Sequence, residues 1–427
     1  MYALVDCNNF YVSCERVFDP CFRRVPTIVL SNNDGCAIAR SQEATDLGIK
    51  MGDPLFELRP LIDRHGIQVR SFNYTLYASM SHRVQQVLQL HAGDVEIYSI
   101  DEAFLDLSPF MASDLKGHGL RMKAQVQQWT GIPVGVGIAH TKTLAKAANH
   151  WAKKHPDTGQ VHCFRNQDEA DDVLRQQPVD DVWGIGPRWA AKLEAHGIKT
   201  AYDLSRMPTA DARKLMNVVG ERTVRELRGE RCGSLDLEAT TAKSLVRSRS
   251  FGNPVTERAE MEAAVATYAA RACDKLRHRG LVASTFTVFM QTSRFRTNEP
   301  QRSASAGFSV TVGTSDTLRV TAGALAAVRS LWAPGYRYAK AGIMAAGIEQ
   351  ADHRQPGLFE PANPRSDQLM AAMDTINRRH GRDTVRVAAA TLRSKQGGWK
   401  KENWKMKQDH HSPQFTTNWS ELMLAVA

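Results

Sequence analysis

The chain has no C-x-x-C pair, and its seven cysteines, at 7, 14, 21, 36, 163, 232 and 273, form an odd and scattered set. That pattern excludes a disulfide framework and a structural zinc site, so the thiols read as reduced and mostly buried. No apolar run approaches the roughly 18 residues of a membrane span. Met1 to Phe10 has neither the basic start nor the apolar stretch of a secretory leader, so a cytoplasmic protein without a membrane partner is expected. No internal repeat is visible. The bias of disordered or fibrous chains is missing too: 42% of the residues are hydrophobic and 23% charged, which suits a packed fold. A length of 427 residues allows several domains.

An acidic excess is also lacking, since 55 Lys and Arg face 45 Asp and Glu for a net charge of +10. Such a balance favours a polyanionic partner. The basic residues cluster: Lys243 to Gln350 holds 15 Lys and Arg against 7 Asp and Glu.

Tyr2 to Asp6 reads as a short strand ending on an acid. Val95 to Ile100 and Ala103 to Leu107 are two further strand-like runs with Asp101 and Glu102 at the bend between them. Gln125 to Trp129 closes a helix, and Pro133 to Ile138 is another strand. The first 165 residues thus mix strand and helix around a central sheet. Residues 21–74 are inserted there, with the turn-rich Ser31-Asn32-Asn33-Asp34-Gly35 and a helical stretch from Ala39 to Leu47. From 170 to 235 short helices are punctuated by Gly184, Gly186, Gly197 and Gly220. Residues 243–350 alternate strands (Ser284 to Gln291, Phe308 to Val312) with helices (Met261 to Arg277, Thr317 to Leu331), as an α+β domain does. The stretch 351–427 is rich in Lys, His and Gln and shows one helix, near Asp367 to Arg379. Much of it is expected to be mobile or to order on a partner.

An Asp-Glu pair at a turn is usually a surface feature, but here apolar strands would hold Asp101 and Glu102 near Asp6. Acids on neighbouring strand ends can hold two divalent cations. Two metals about 3.5–4 Å apart stabilise the attacking and leaving oxygens of an in-line phosphoryl displacement. Hard oxygen ligands and substrate phosphates favour Mg²⁺, and the backbone carbonyl of Cys7 is a further candidate ligand.

The motifs VDCNNFYVSCERVF at 5–18, SNNDGCAIAR at 31–40, LGIKMGDP at 47–54, YSIDEAFLDL at 98–107, GVGIAHTKTLAKAAN at 135–149, VWGIGPRWAAKL at 182–193, ERTVRELRGERC at 221–232, SRSFG at 248–252 and RYAKAGIM at 337–344 span nearly the whole chain. Together they resemble the Y-family of translesion DNA polymerases, most closely its UmuC type. The resemblance implies a multidomain α+β right-hand polymerase. Its palm would be 1–20 and 75–168, its fingers 21–74, its helical thumb 169–238 and its α+β little finger 243–350, with a partner-binding tail at 351–427. The implied activity is error-prone, template-directed addition of dNTPs to a primer 3′ end, without proofreading, in the SOS response to DNA damage. By the same resemblance Asp6 and Asp101 bridge two Mg²⁺ ions and Glu102 binds the one that activates the primer 3′-oxygen. Tyr11, next to Phe10, would lie under the incoming sugar and clash with a ribose 2′-hydroxyl. Lys153 matches the family's phosphate-binding lysine, with Arg40 a second candidate. A Tyr and an Arg usual in the family align with Gln42 and Thr45, which leaves the grip on the β- and γ-phosphates open.

Val182 to Ala190 fits a helix-hairpin-helix pattern, in which Gly184 and Gly186 let backbone N–H groups approach a phosphate at a helix start. Contacts of that kind position DNA without reading it. Lys243, Arg247, Arg249, Arg294 and Arg296 would extend the grip. Gln355-Pro-Gly-Leu358-Phe359 resembles the short peptide with which bacterial polymerases dock on the sliding clamp, Leu358 and Phe359 filling a pocket and Gln355 adding a hydrogen bond. The UmuC type also implies a processed UmuD-like dimer and a RecA filament as partners, and Trp399, Trp404 and Trp419 suit the accessory contact. His410 and His411, without Cys or acid company, read as solvated. Three other readings stay open: a catalytically silent DNA-binding scaffold, a palm-domain nucleotide cyclase and a stand-alone DinB-type polymerase. The intact Asp6, Asp101, Glu102 and Tyr11 speak against the first, the hairpin and basic domain against the second, and the SNNDG segment with the long tail against the third.

Overall fold

Tyr2, Ala3, Leu4 and Val5 are all buried, so the first strand is covered on both faces, as its unbroken apolar run requires. The structure, a computed structural model, describes residues 1–110, 114–237, 242–353, 364–391, 404 and 406–422. Strand β1 (Tyr2–Cys7) leads through α1 (Phe10–Phe18), β2 (Thr27–Leu30), β3 (Ala37–Arg40), α2 (Gln42–Asp46), α3 (Leu55–His65), β4 (Gln68–Ser71) and α4 (Tyr74–Leu88). Then come β5 (Val95–Ile97), β6 (Glu102–Asp106), α5 (Leu115–Thr130), β7 (Val134–Ala139), α6 (Lys142–Lys154) and β8 (Val161–Cys163). Five of these strands form one sheet in the order β5-β6-β1-β7-β8, with β1 in its centre, antiparallel to both neighbours. Helix α6 packs on it at Gly137, where a Cβ would stand 2.2 Å from the Ala145 carbonyl oxygen and the Asn149 nitrogen. Only glycine permits that approach.

The order β3-β2-β4 makes a second, three-stranded sheet with its own small core of Ile28, Leu30, Ala37 and Ile49. The helical reading of Ala39 to Leu47 needs correction here. Ala39 and Arg40 finish β3, because they pair with Val29 and Ile28 of β2. Helix α2 starts only after Ser41, whose buried hydroxyl accepts the Ala44 N–H at 3.2 Å. Five helices follow, α7 (Gln167–Leu174), α8 (Pro187–Ala195), α9 (Ala201–Arg206), α10 (Thr209–Met216) and α11 (Val218–Leu227), around Leu174, Leu193, Leu204 and Leu227. The described strands and helices up to here, together with Asp409–Ala427, belong to one compact unit.

The second unit, Thr240–Gln408, is built on a four-stranded antiparallel sheet in the order β11-β10-β12-β9. Its elements are β9 (Ser244–Val255), α12 (Arg258–His278), β10 (Leu281–Thr292), β11 (Ser303–Thr314), α13 (Thr317–Leu331), β12 (Tyr338–Gln350) and α14 (Pro364–His380). Phe286, Val288 and Met290 of β10 and Ile343 of β12 face α12 and α13, and the core is closed there. The opposite face carries Gly342, where Ser248 and Phe289 leave no room for a Cβ.

Some of the described residues between 351 and 422 are packed against the two units. Arg277 grips Asp374 of α14 through two hydrogen bonds of 2.7 Å, and Trp404 is 3% exposed in the second unit's core. The Trp404 ring therefore is not open to a partner, whereas Trp419 is 90% exposed. Residues 409–422 return to the first unit.

Candidate active site

The register of β1 against β6 sets Asp6 opposite Glu102, and the Cys7 N–H donates to the Asp101 carbonyl at 2.9 Å. Ser99 shapes the turn: its hydroxyl donates to Asp101 Oδ1 at 2.5 Å and receives the N–H groups of Asp101 and Glu102 at 3.2 and 3.0 Å. The three predicted carboxylates thus come together at adjacent strand ends. Glu102 lies on β6 itself rather than at the bend.

One face of α6 answers them. Lys142, Lys146 and Lys153 follow the spacing that returns to one side of a helix, and they meet Glu96, Glu102 and Asp6 in turn. Lys146 Nζ straddles Glu102 at 2.8 and 3.1 Å and lies 4.6 Å from the Tyr98 ring centre and 5.3 Å from that of Trp183. Lys153 Nζ is 2.6 Å from Asp6 Oδ1. Burial pushes the Asp6 carboxyl up to about 6; Lys153 opposes the rise and the Glu102 carboxylate across the sheet adds to it. Burial likewise raises the Cys7 thiol, so its carbonyl rather than its sulfur is the candidate ligand there.

The donor set is hard oxygen, which fits Mg²⁺. Among the described residues no three His, Cys, Asp or Glu side chains enclose a metal by themselves. A cation here would complete its shell with water and phosphate oxygens, the ordinary habit of Mg²⁺. A cavity of about 270 Å³ adjoins the cluster, lined by Asp6, Glu102, Lys146, Asn149, His150 and Lys153. The Asn149 side-chain nitrogen, buried there, has no hydrogen-bond partner among the described residues.

Phe10 is buried, while Tyr11 is half-buried and stacks on Tyr77 with ring centres 4.4 Å apart and planes 15° from parallel. Arg40 ends β3 half-buried, its Nε without a partner among the described residues. Gln42 and Thr45 turn back onto α2, Gln42 to Asp46 at 2.8 Å and Thr45 to the Ser41 carbonyl at 3.0 Å. Gly184 has φ +88°, and Gly186 stands as the N-cap of α8.

In the second unit the five basic candidates are not brought together. Arg294 and Arg296 are exposed between β10 and β11, Arg296 with Glu299 at 3.2 Å, and Lys243 is exposed before β9. Arg247 and Arg249 pair with Ile343 and Ala341, which places them on the helix side of the edge strand. There burial, then Arg249, Arg382 and Arg271, lower the Arg247 pKa. Gln355, Leu358, Phe359 and Trp399 lie outside the described residues. Sequence reading missed Lys146, Ser99 and Asn149. The heptad spacing of Lys146 and Lys153 on α6 was the available signal.

Residues 5–150 match the impB/mucB/samB family, 242–358 the C-terminal domain of that family and 367–425 a domain of unknown function, DUF4113. Protein ImpB of Salmonella typhimurium is 43% identical over 432 residues, covering 100% of this chain and 99% of its own. Protein UmuC of Salmonella typhimurium strain LT2 is 44% identical over 427 residues, covering 99% of each. A solved Y-family DNA polymerase chimera of Dbh and Dpo4 superposes with a TM-score of 0.64 at 20% identity, over 81% of this chain and 98% of that one, a likeness of fold. The chain belongs to the impB/mucB/samB family, the UmuC type of Y-family DNA polymerase.

Proposed function

We propose that this error-prone translesion polymerase extends a primer 3′ end with dNTPs at Asp6, Asp101 and Glu102, using two Mg²⁺ ions and no proofreading. The register of Asp6 against Glu102, with Asp101 fixed by Ser99, is the observation that carries the reading. When bound, the metal pair would supply charge stabilisation to the attacking and leaving oxygens. Asp6 and Glu102 would hold that charge from facing strands while Asp101 keeps its second oxygen free of the Ser99 hydroxyl. Lys153, now on Asp6, would transfer its ammonium to the triphosphate, with Asn149 and Arg40 as further donors. Tyr11 would reject the ribose 2′-hydroxyl.

The five-stranded sheet would be the palm, the three-stranded sheet the fingers, helices α7–α11 the thumb and the four-stranded sheet the little finger. Primer-template DNA would be held through Gly184 and Gly186 at the start of α8 and through Lys243, Arg294 and Arg296. A processed UmuD-like dimer, a RecA filament and a sliding clamp reached through Gln355, Leu358 and Phe359 complete the proposed partners, in the cytoplasm. No helix among the described residues is long and apolar enough to cross a membrane.

Primer extension on undamaged and abasic templates with Mg²⁺ and dNTPs tests this, for the chain alone, with clamp, and with the UmuD-like dimer and RecA filament. Extension that vanishes in Asp101→Ala is the expected result. Tight, salt-sensitive DNA binding with no extension under any condition would leave the silent scaffold instead.

A further inference from the structure

The SNNDG turn has no part in the chemistry above, yet it is the receptor for a distant piece of chain. Asn33 and Asp34 have φ of 61° and 51°, left-handed conformations that Asn and Asp adopt more readily than other non-glycine residues. The turn buries the Asp34 carboxylate against β4, where Oδ1 accepts from the Ser71 hydroxyl at 2.6 Å and Oδ2 from the Asp409 N–H at 2.7 Å. Residues 409–411 then run along β4, the edge strand of the small sheet. The Ser71 N–H donates to the His410 carbonyl at 2.9 Å, and the His410 N–H to the Ser71 hydroxyl at 3.0 Å. Further on, Phe415 is buried and stacks on Phe18 at the end of α1, with ring centres 5.0 Å apart.

Between these anchors lies Ser412, 3% exposed. It receives the Asn73 side-chain N–H at 3.0 Å and donates to Glu15 Oε1 at 3.1 Å. The same Glu15 oxygen, on a side chain 1% exposed, accepts the Tyr77 hydroxyl at 2.8 Å. Tyr77 is the ring on which Tyr11 stacks, and Tyr74 meets both rings edge-on at 6.2 and 6.4 Å. Segment 409–415 therefore ties α1, which carries Tyr11 and Glu15, to α4, which carries Tyr74 and Tyr77. A buried carboxylate held by hydroxyl donors tolerates little loss, because each lost donor leaves charge uncompensated.

We propose that residues 409–415 are a strap that positions the Tyr11 ring, and that Ser412, Glu15 and Tyr77 are positioning residues for selection against ribonucleotides. The strap rests on the gate reading of Tyr11. It gives the last, unassigned domain a role at the nucleotide site: anything that lifts the strap loosens sugar selection.

The test is single-nucleotide insertion by the full chain on primer-template, under whichever partner conditions support extension, reading kcat/KM for a dNTP and for the matching rNTP. Ser412→Ala should raise the rNTP/dNTP ratio about 5-fold, the scale of one lost hydrogen bond, with dNTP insertion within about 2-fold of the parent. Ser412→Thr, which keeps the hydroxyl, should restore the parent ratio. Tyr77→Phe, which keeps the ring and removes only its bond to Glu15, should match Ser412→Ala. Tyr11→Ala is the reference. If it raises the ratio while Ser412→Ala and Tyr77→Phe leave it unchanged, or lower both insertions equally, the strap proposal is overturned and the gate stands. If Tyr11→Ala itself leaves the ratio unchanged, the gate reading fails and the strap's role in selection falls with it.

Discussion

Asp6 illustrates how a single group couples site and stability. Its folded pKa of about 6 lies above the ordinary carboxyl value of 3.8. The proton therefore binds the folded state more tightly, and the stability it contributes is present at low pH and is lost as pH rises through about 6. A divalent cation competes for the same oxygens, and its binding strengthens over that range. The Mg²⁺-induced rise in Tm should accordingly be small at pH 5 and larger at pH 7.5, as measured by scanning fluorimetry. An equal rise at both would show that Asp6 is not a ligand. Asp101 makes the second case. Among the described residues its side chain hydrogen-bonds to Ser99 alone, so Asp101→Ala should keep Tm within a few degrees yet lower nucleotide addition on the order of 10³-fold. Loss of the fold together with activity would count against it. These acids were legible because each ends an apolar strand run. Glu15 was not, since its meaning depends on Tyr77 and on Ser412, 397 positions away.

At the scale of elements, the site depends on how closely α6 lies on β7. Thr141 caps α6, accepting the Leu144 N–H at 3.2 Å and donating to the Glu226 carbonyl at 2.9 Å, while the Glu226 carboxylate, on α11, accepts from the Thr143 hydroxyl of α6 at 2.5 Å. Gly137 supplies the close contact. Gly137→Ala would press a methyl into helix backbone, which cannot swing aside as a side chain can, and should cost about 3 kcal/mol in urea unfolding. Because α6 carries Lys146, Asn149 and Lys153, the same variant should raise the KM for dNTP. Unchanged stability would mean that α6 retreats freely, and the lysine face would then not be set by packing. Strands β1, β5, β6, β7 and β10 and helices α12 and α13 were readable from periodicity, whereas β2, β3, β4, β8, β9 and β12 were not. The boundary at Ser41 was not, because Ala37 to Arg40 is a strand by virtue of its pairing with β2, and alanines favour helix when no partner is in view.

For the whole molecule the decisive quantity is charge, and the structure changes where it acts. The resemblance implies a partner-binding tail, and within it Trp404 and Phe415 anchor described residues to different units, which no local pattern discloses. The surplus of Lys and Arg between 243 and 350 is likewise divided: Arg294 and Arg296 face solvent, while Arg247 sits half-buried on the helix side of β9 near Arg271 and Arg382. Binding to phosphates releases condensed cations, so log K should fall linearly with log salt. With about six phosphate contacts the affinity would drop roughly 10³-fold between 50 and 200 mM salt. Fluorescence anisotropy with a labelled primer-template gives the slope directly. Arg294→Ala with Arg296→Ala should reduce it by about 1 to 2, because both groups can reach a backbone. Arg247→Ala should leave it unchanged and alter Tm instead, since removing one of several crowded guanidinium groups changes repulsion within the unit rather than contact with DNA. A slope reduced by Arg247→Ala, and not by the exposed pair, would place the DNA on the helix side and reverse the assignment of the grip.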